Sequence, residues 1–197
     1  FIMGCVVLCC VAFLLLSLVP PWRSPMNREA ALLVERLGLT PHPEGGYYRE
    51  NYRAPERVHS GALGSERSAF TSIHFLLAGD HYSAWHRVKS DESWFFHTGG
   101  DLAIYSLVSD ASNPSAGIKL QTETIGASCG CFELTVPANR WFAAKPVEPD
   151  SHALVSCVVA PGFEFEDFEL AKHEDLLEAG CEQLADWPLV QSLLVGD

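Results

Sequence analysis

The stretch GDHYSAWHRVKSDESWFFHTGG, residues Gly79–Gly100, decides the fold. It lies between two strand-like runs, Ser68–Leu77 and Leu102–Val108, and it ends in a Gly-Gly pair that marks a tight turn. Within it, His86 and Glu92 stand six residues apart, on either side of a short bend. Segments joined in this way can direct an imidazole and a carboxylate into one cavity, as in metal and acid–base sites built on β scaffolds.

The rest of the chain from Ser68 onward also has the pattern of short strands. Turns rich in Gly, Pro, Asn and Asp separate the segments, and no helical pattern lies between them. The predicted strands are 68–77, 93–98, 101–108, 117–125, 130–136, 140–144, 152–160 and 164–170. This series predicts an all-β sandwich or barrel. Arg53–Glu66, which is polar and contains glycine, is predicted to be a loop.

The spacing of His86, Glu92 and Gly99 resembles the first motif of the cupin superfamily, in which a His-x-His pair is followed by Glu and then by Gly. Val88 stands where that motif carries its second His. Phe142 stands where the second cupin motif carries a further His. The resemblance therefore implies a cupin barrel whose usual set of metal ligands is incomplete.

A closer resemblance is to the cupin branch called domain of unknown function 985. The residues that carry it are LGLTPHPEGGYYRE (Leu37–Glu50), SAWHRVKSDESWFFHTGG (Ser83–Gly100), VPANRWFAA (Val136–Ala144) and LVSCVVAPGFEFEDFELA (Leu154–Ala171). The likeness spans residues from about 30 to 195. It implies a double-stranded β-helix, or jelly-roll barrel, with short flanking helices, and it implies a homodimer. The branch has no assigned reaction, so the resemblance indicates the fold of this chain but does not indicate its activity.

The N-terminal part, residues 1–25, differs in composition from the predicted cupin domain, residues 26–197. Ile2–Val19 carries no charge, and as a helix it would extend roughly 27 Å, close to the thickness of a bilayer's hydrocarbon core. We therefore expect an N-terminal hydrophobic helix that acts as a membrane anchor or as a secretory or organelle-targeting segment. The side of the membrane stays open, and a buried core helix is the alternative. Pro20–Pro25 forms a stiff linker.

Short helices are predicted at both ends of the cupin domain. Asn27 has the side chain of a helix N-cap, and Gly38 follows an apolar helical pattern that ends at Leu37. Near the C-terminus, His173–Gly180 and Asp186–Leu194 have the pattern of short helices that cap the barrel or contribute to a dimer contact.

The charge and the cysteines exclude several classes of function. A formal net charge of −12, with 13 basic residues that form no cluster, argues against nucleic acid and against anionic membrane surfaces as partners. Cys129 and Cys131 are separated by one residue, which is not a zinc spacing. We expect these two cysteines, Cys157 and Cys181 to be free thiols.

Without a metal ion, His86 and Glu92 suit proton transfer. An imidazole held by a carboxylate can remove a proton beside a carbonyl group, while Tyr48 on the other side of the pocket supplies one. Metal-free cupin isomerases and epimerases of sugar derivatives work in this general way, so the resemblance supports the idea. The predicted ligand-binding residues are aromatic side chains for stacking and arginines for an enolate or an anion: Arg49, Trp85, Arg87, Trp94, Tyr105 and Trp141.

Three functions fit these residues. The first is binding of a small molecule in the barrel, with metal-independent isomerase or epimerase chemistry on a sugar-like or carbonyl substrate. The second is a metal-dependent cupin enzyme, in which His86 and Glu92 would be ligands, although no cofactor is expected from two donors. The third is a non-catalytic ligand-binding module. Against all three stands a structural interpretation, in which His86 and Glu92 form a buried pair and the tryptophans are core residues.

Overall fold

The computed structural model describes residues 26–109 and 117–195, in which short strands with alternating buried and exposed residues form two facing sheets. The helices of the described residues are α1 (Arg28–Leu37), α2 (His173–Glu178) and α3 (Trp187–Ser192). The strands are β1 (Thr40–Pro41), β2 (Tyr47–Arg53), β3 (Arg57–Ser60), β4 (Ser65–Ser68), β5 (Thr71–Ala78), β6 (Ser83–Val88), β7 (Asp91–Gly99), β8 (Leu102–Ser109), β9 (Ile118–Ile125), β10 (Glu133–Val136), β11 (Phe142–Pro146), β12 (His152–Ala160) and β13 (Phe168–Leu170).

Successive strands fall mostly in opposite sheets. One sheet has six strands in the order β1-β2-β5-β12-β7-β10, and the other has five in the order β13-β6-β11-β8-β9. The paired strands in both sheets are antiparallel. The chain therefore crosses from sheet to sheet at β5–β6, β6–β7 and β7–β8, which is the jelly-roll arrangement. The predicted all-β barrel is confirmed.

The main core lies between the two sheets, where alternate residues of each strand point inward. Phe75 on β5, Trp94 on β7 and Phe142 on β11 are almost fully buried there. Their rings contact one another, with centroids 5.6 Å apart for Phe75 and Trp94 and 6.0 Å apart for Trp94 and Phe142. These large side chains fill much of the space between the sheets, and Phe75 also borders an internal cavity.

Helix α1 covers the outer face of the six-stranded sheet. The Asn27 side chain accepts a hydrogen bond of 2.9 Å from the backbone N–H of Ala30, and Gly38 ends the helix with a φ of 63°. Ala30 packs in a second cluster with Leu76 and Leu154, which belong to β5 and β12. The predicted cap, extent and stop of this helix are confirmed.

The two C-terminal helices cover the outer face of the five-stranded sheet. Leu176 of α2 and Val190 of α3 are fully buried against Trp85 and Leu107, which point outward from β6 and β8. The Trp85 indole Nε1–H donates a hydrogen bond of 2.8 Å to the carbonyl oxygen of Val190. The predicted short helices therefore form, and they cap the barrel over this face.

Several segments differ from the sequence-based prediction, and one of them, Ser83–Val88, forms β6 although it is not among the predicted strands. Arg53–Glu66, expected to be a loop, contains β3 and the beginning of β4, which pair with each other as a hairpin. Both strands are short and polar, so their sequence signal is weak. The segment 164–170, expected to be one strand, begins with a 3-10 turn at Phe165–Asp167 and has only β13 as a strand. A buried ion pair between Arg67 and Asp167, 2.7 Å long, fastens this turn to the hairpin and explains the interruption.

The four cysteines of the described residues are free thiols, as expected. Cys129 and Cys131 are exposed on the turn between β9 and β10, whereas Cys157 and Cys181 are buried. The predicted hydrophobic helix over residues 2–19 lies outside the described residues. Within 26–109 and 117–195, no helix is long and apolar enough to cross a membrane.

Replacing Trp85 by Phe tests the packing of the C-terminal helices. The variant keeps most of the apolar contact but loses the hydrogen bond to Val190, so we expect Trp85→Phe to lower the free energy of unfolding by about 1 to 3 kcal/mol. Urea unfolding measures this change. Trp187→Phe serves as the control. The Trp187 indole on α3 is only half-buried, so this substitution should lower the free energy of unfolding less than Trp85→Phe does. Equal effects of the two substitutions would contradict the assigned role of Trp85.

Candidate functional site

A cavity of about 250 Å³ opens between the two sheets. Strands of both sheets line it, together with the loop before β2 and the segment before β13. Its polar inner residues are His42, Glu44, His86, Glu92 and Cys157. Its aromatic wall is made of Tyr48, Phe75, Phe163, Phe165 and Phe168, and its mouth carries the charged residues Arg49, Glu50, Arg53 and Glu164.

His86 and Glu92 reach this cavity from opposite sheets. His86 lies near the end of β6 in the five-stranded sheet, and Glu92 lies near the start of β7 in the six-stranded sheet. The short turn between them carries the chain across the barrel, so both side chains point inward. Relative exposure is 1% for His86 and 7% for Glu92.

Glu44 is a third buried acid–base group of the cavity, and a tight turn holds it in place. The Gly45 N–H donates to the His42 carbonyl at 3.0 Å, and the His42 N–H donates to the Gly46 carbonyl at 3.1 Å. Gly45 has a φ of 110°, and a Cβ atom there would lie 2.1 Å from the carbonyl oxygen of Tyr82. A residue with a side chain could not make this turn without moving the backbone.

The Glu44 carboxyl and the His86 imidazole lie close together in the cavity. His86 Nδ1 lies 2.7 Å from the Ala84 carbonyl oxygen, which assigns the proton to Nδ1 and leaves the lone pair of Nε2 directed at Glu44 Oε2, 3.4 Å away. The Ser83 hydroxyl donates to the other carboxyl oxygen of Glu44 at 2.8 Å. The backbone N–H of Ala84 donates to the Glu44 carbonyl at 2.8 Å and fixes the residue to β6.

Burial drives both members of this pair toward their neutral forms. It lowers the pKa of His86 to about 3, although the hydrogen bond to Ala84 acts in the opposite direction. It raises the pKa of Glu44 well above its usual value, and the nearby Glu92 raises it further. Burial therefore favours a protonated Glu44 carboxyl beside a neutral His86 imidazole, whose Nε2 faces that carboxyl.

The Glu92 carboxyl has a different environment. Burial raises its pKa to about 7, while interactions with the Cys157 thiol and the Trp94 indole act in the opposite direction. The Trp94 Nε1–H makes no hydrogen bond of standard geometry, which agrees with burial as the larger effect. Burial also raises the pKa of the Cys157 thiol, so that thiol stays protonated beside the carboxyl. Glu92 is thus a carboxyl that titrates near neutral pH.

Aromatic rings enclose His42 next to Glu44. Its ring centroid lies 4.5 Å from that of Tyr48, 5.7 Å from that of Phe75 and 5.9 Å from that of Phe168. Burial lowers the pKa of His42 to about 4, so this imidazole is neutral at neutral pH. Its Nδ1 accepts a hydrogen bond of 3.3 Å from the backbone N–H of Glu44.

The charged groups at the mouth are largely paired with protein groups. Arg53 donates to Glu50 and to Glu164, each at 2.8 Å, and so links β2 to the segment before β13. Arg49 donates to the Asn51 side chain at 3.2 and 3.3 Å. Cationic groups of the lining therefore lie at the mouth, and the inner end holds carboxyls and neutral imidazoles.

The structure brings some of the predicted site residues together and separates others. His86, Glu92, Tyr48 and Arg49 line the cavity. Trp94 is buried in the core behind Glu92 and does not line it. The other predicted ligand-binding residues are on the outer side of the five-stranded sheet: Trp85, Arg87, Tyr105 and Trp141.

Strand parity explains why those four residues do not reach the cavity. Trp85 and Arg87 flank His86 on β6 and point to the opposite face, and Tyr105 points outward from β8. The Arg87 guanidinium stacks 4.4 Å from the centre of the Trp141 ring and forms an ion pair of 2.6 Å with Glu169. These side chains stabilise the outer face and its helices.

Two cavity residues have no role in the sequence-based prediction, Glu44 and His42. Both belong to the PHPEGG segment, in which a Gly-Gly turn signals a constrained backbone directly after the acid. That turn could have drawn attention to Glu44. Its partner Ser83 is 39 residues away in the sequence, so spacing alone does not reveal the contact.

The lining does not fit the metal centre that the cupin resemblance implies. At the two further ligand positions, Val88 lines the cavity and Phe142 packs its ring 4.0 Å from the ring of His86. In the part of the chain that the structure describes, no three His, Cys, Asp or Glu side chains are arranged to hold a metal ion. The reaction that these residues support uses no metal ion.

Comparison with known proteins agrees with this architecture. The model of the family described as Cupin superfamily (DUF985) matches residues 31–171. The structure of a hypothetical protein from Leishmania major has 30% identity and a TM-score of 0.72, over 85% of this chain and 99% of that one. A protein from Shewanella oneidensis has 32% identity and a TM-score of 0.70, over 85% and 98% of the two chains. No curated protein shows significant similarity to this chain.

Substitution of Gly45 tests the turn that positions Glu44. Because a Cβ atom at Gly45 would overlap the Tyr82 carbonyl, we expect Gly45→Ala to lower the free energy of unfolding by at least about 3 kcal/mol. Gly64→Ala is the matched control, since Gly64 also has a positive φ but no atom lies within 4 Å of the added Cβ. It should lower stability by about 1 kcal/mol. Similar losses for the two variants in urea unfolding would contradict the steric argument.

The raised pKa of Glu92 predicts a pH-dependent contribution to stability. The pKa of Glu92 is about 4.5 in the unfolded state and about 7 in the native state, so the native state binds more protons between these two pH values. The protonated carboxyl therefore contributes its full stabilisation below pH 4.5, and this stabilisation is lost as the pH rises through 7. Glu92→Gln removes the effect. We expect the variant to gain about 3 kcal/mol relative to the wild type between pH 4.5 and 8, measured by urea unfolding.

Glu133→Gln is the control for this pH series, because Glu133 is an exposed glutamate on β10. Its difference from the wild type should stay nearly constant with pH. A constant difference for Glu92→Gln as well would contradict the raised pKa of Glu92 in the folded protein.

Proposed function

This chain belongs to the DUF985 family of the cupin superfamily, and we propose that its barrel cavity binds a small sugar-like or carbonyl compound and moves protons on it without a metal ion. The proposal rests mainly on Glu92, whose buried carboxyl lines the cavity and has a pKa of about 7. A general base is most effective when its pKa lies near the working pH.

In the proposed reaction Glu92 is the base. Its carboxylate takes a proton from the carbon beside the carbonyl group, and the electron pair of that C–H bond forms the C=C bond of an enol. The carbonyl oxygen receives a proton from the Glu44 carboxyl at the same time. Return of a proton to the former carbonyl carbon, while the hydroxyl group on the first carbon gives its proton to Glu44 and becomes the new carbonyl, yields an isomer. Return of a proton to the opposite face of the first carbon, while the enol hydroxyl gives its proton back to Glu44, yields an epimer.

These roles differ from the sequence-based hypothesis, in which His86 was the base. With a pKa of about 3, the His86 imidazole is neutral and weakly basic, and its Nε2 lone pair is engaged with Glu44. In the proposal His86 orients Glu44. Tyr48 remains a proton donor on the opposite wall, and Arg49 at the mouth is a contact for an anionic part of the ligand.

A non-catalytic binding module is the second candidate. The same cavity and aromatic wall support it, because binding needs only enclosure and polar contacts. The metal-dependent alternative has weaker support, since Val88 and Phe142 supply no ligand atoms at the two remaining cupin positions.

Two further expectations stay predictions. The length and lack of charge of residues 2–19 support a membrane anchor or targeting segment. The expectation that this chain forms a homodimer rests on the family resemblance.

Hydrogen exchange with solvent tests the proposed chemistry. Protein treated with a chelator is incubated in D₂O with a panel of aldoses, ketoses and uronates, and proton NMR follows the signal of the carbon-bound hydrogen beside the carbonyl. We expect exchange with at least one compound, reduced about 100-fold or more in Glu92→Gln because the base is lost. Glu133→Gln should exchange at the wild-type rate.

The rival functions give different results in the same experiment. Exchange that disappears on chelation and returns with added metal would favour a metal-dependent enzyme. Binding of a compound without any exchange would favour the non-catalytic module. Equal exchange rates in Glu92→Gln and the wild type would exclude Glu92 as the base.

A further inference from the structure

The charges of the cavity lining are unevenly distributed. Four carboxyl groups line it, Glu44, Glu50, Glu92 and Glu164, against the guanidinium groups of Arg49 and Arg53. Arg53 is held by Glu50 and Glu164, and Arg49 donates to an asparagine at the mouth. The inner end therefore contains two carboxyls that no cation of the described lining neutralises.

The neighbours of Glu92 cannot supply the missing charge. His86 and His42 are held neutral by burial, and the Cys157 thiol is kept protonated. The Trp94 indole next to this carboxyl is also uncharged. Glu92 is more than nine-tenths buried and lines the cavity, and it forms no ion pair with any residue of 26–109 or 117–195. An ionised carboxylate in such a place needs a positive charge from outside the protein.

The opposite wall of the cavity is suited to a cation. Phe163, Phe165 and Phe168, from β13 and the segment before it, form a group of rings with centroids 5.1 to 6.3 Å apart. Tyr48 and Phe75 extend the aromatic lining on the six-stranded sheet that also carries Glu92. Aromatic faces attract ammonium groups through the negative charge density above the ring, most strongly where water is excluded. Phe165 is 55% exposed at the mouth, where an entering cation would meet it first.

We infer that the ligand of this cavity carries a positively charged nitrogen, either a protonated amine or a quaternary ammonium group, which lies between Glu92 and the aromatic wall. The inference rests on the proposed function in one respect, that a small molecule enters the cavity. An anionic ligand would meet two carboxyls at the inner end. A purely apolar ligand would cover Glu92 without giving it a partner.

A bound ammonium group would also change the protonation of Glu92. The groups that face this carboxyl are Glu44 from the loop before β2, His86 from β6, Trp94 from β7 and Cys157 from β12. None of them provides a positive charge at neutral pH, so the ligand would be the main influence that favours the carboxylate. Binding should therefore release a proton and leave Glu92 in the form that acts as a base.

Two pairs of probes test the inference by isothermal titration calorimetry at pH 7. Glucosamine and glucose differ in one ammonium group, and choline and 3,3-dimethyl-1-butanol differ mainly in the charge. We expect the charged member of at least one pair to bind at least about 10-fold more tightly than its neutral counterpart. Titrations in buffers with different ionisation enthalpies should show release of roughly half a proton for each bound ammonium.

The variants of the same experiment assign the effect to the cavity. Glu92→Gln should reduce the preference for the charged probe to about 2-fold or less. The exposed Glu133→Gln, which changes the net charge by the same amount, should keep the wild-type preference. A preference that persists in Glu92→Gln would overturn the role of Glu92.

The results also separate this inference from the proposed function. If neither glucosamine nor choline binds more tightly than its neutral counterpart, the positive charge is not recognised and the inference is overturned, while a small-molecule cavity stands. If none of the four probes binds to protein whose circular dichroism shows the native fold, the inference is overturned, and the hydrogen-exchange panel alone then decides the proposed function.

Discussion

The burial of two carboxyl groups in one cavity is the constraint on which the rest of this site depends. Glu44 reaches the interior of the barrel from the loop before β2, and Glu92 reaches it from β7. Burial raises the pKa of both carboxyls, and Glu92 raises that of Glu44 further. Folding must leave both protonated or supply a positive charge. The fold resolves the problem for Glu44 by pairing it with His86 and Ser83. It leaves Glu92 without such a partner, which makes Glu92 the functional candidate.

The architecture explains how such a site can be stable. Trp94 and Phe142 pack between the two sheets, and helices on both outer faces cover the remaining apolar surface. Packing outside the cavity therefore stabilises the domain, so the cavity can hold groups that are unfavourable in the free protein. The tight turn at Gly45 and the ion pair of Arg67 with Asp167 fix the two irregular segments that complete the lining.

The sequence predicts the sheets, the terminal helices and the arrival of His86 and Glu92 at one place, because these depend on local alternation and on one short connection. It does not predict which face of β6 is interior, since both sheet faces are apolar and the outer one is covered by helices. Trp85 and Tyr105 were therefore assigned to the wrong face. The sequence analysis does not identify Glu44, because its partners are distant in sequence. The roles of His86 and Glu92 depend on how deeply each side chain is buried, and residue spacing does not indicate burial.

The protonation of Glu92 is the quantity that the whole account requires. A carbon NMR titration of protein with ¹³C-labelled glutamate carboxyl groups measures it directly, with the signal assigned by its absence in Glu92→Gln. The account predicts that this carboxyl titrates with a pKa of about 7, far above the usual value of about 4.5. A Glu92 signal that titrates at or below 4.5 would show an ionised or solvated carboxylate and would contradict the account.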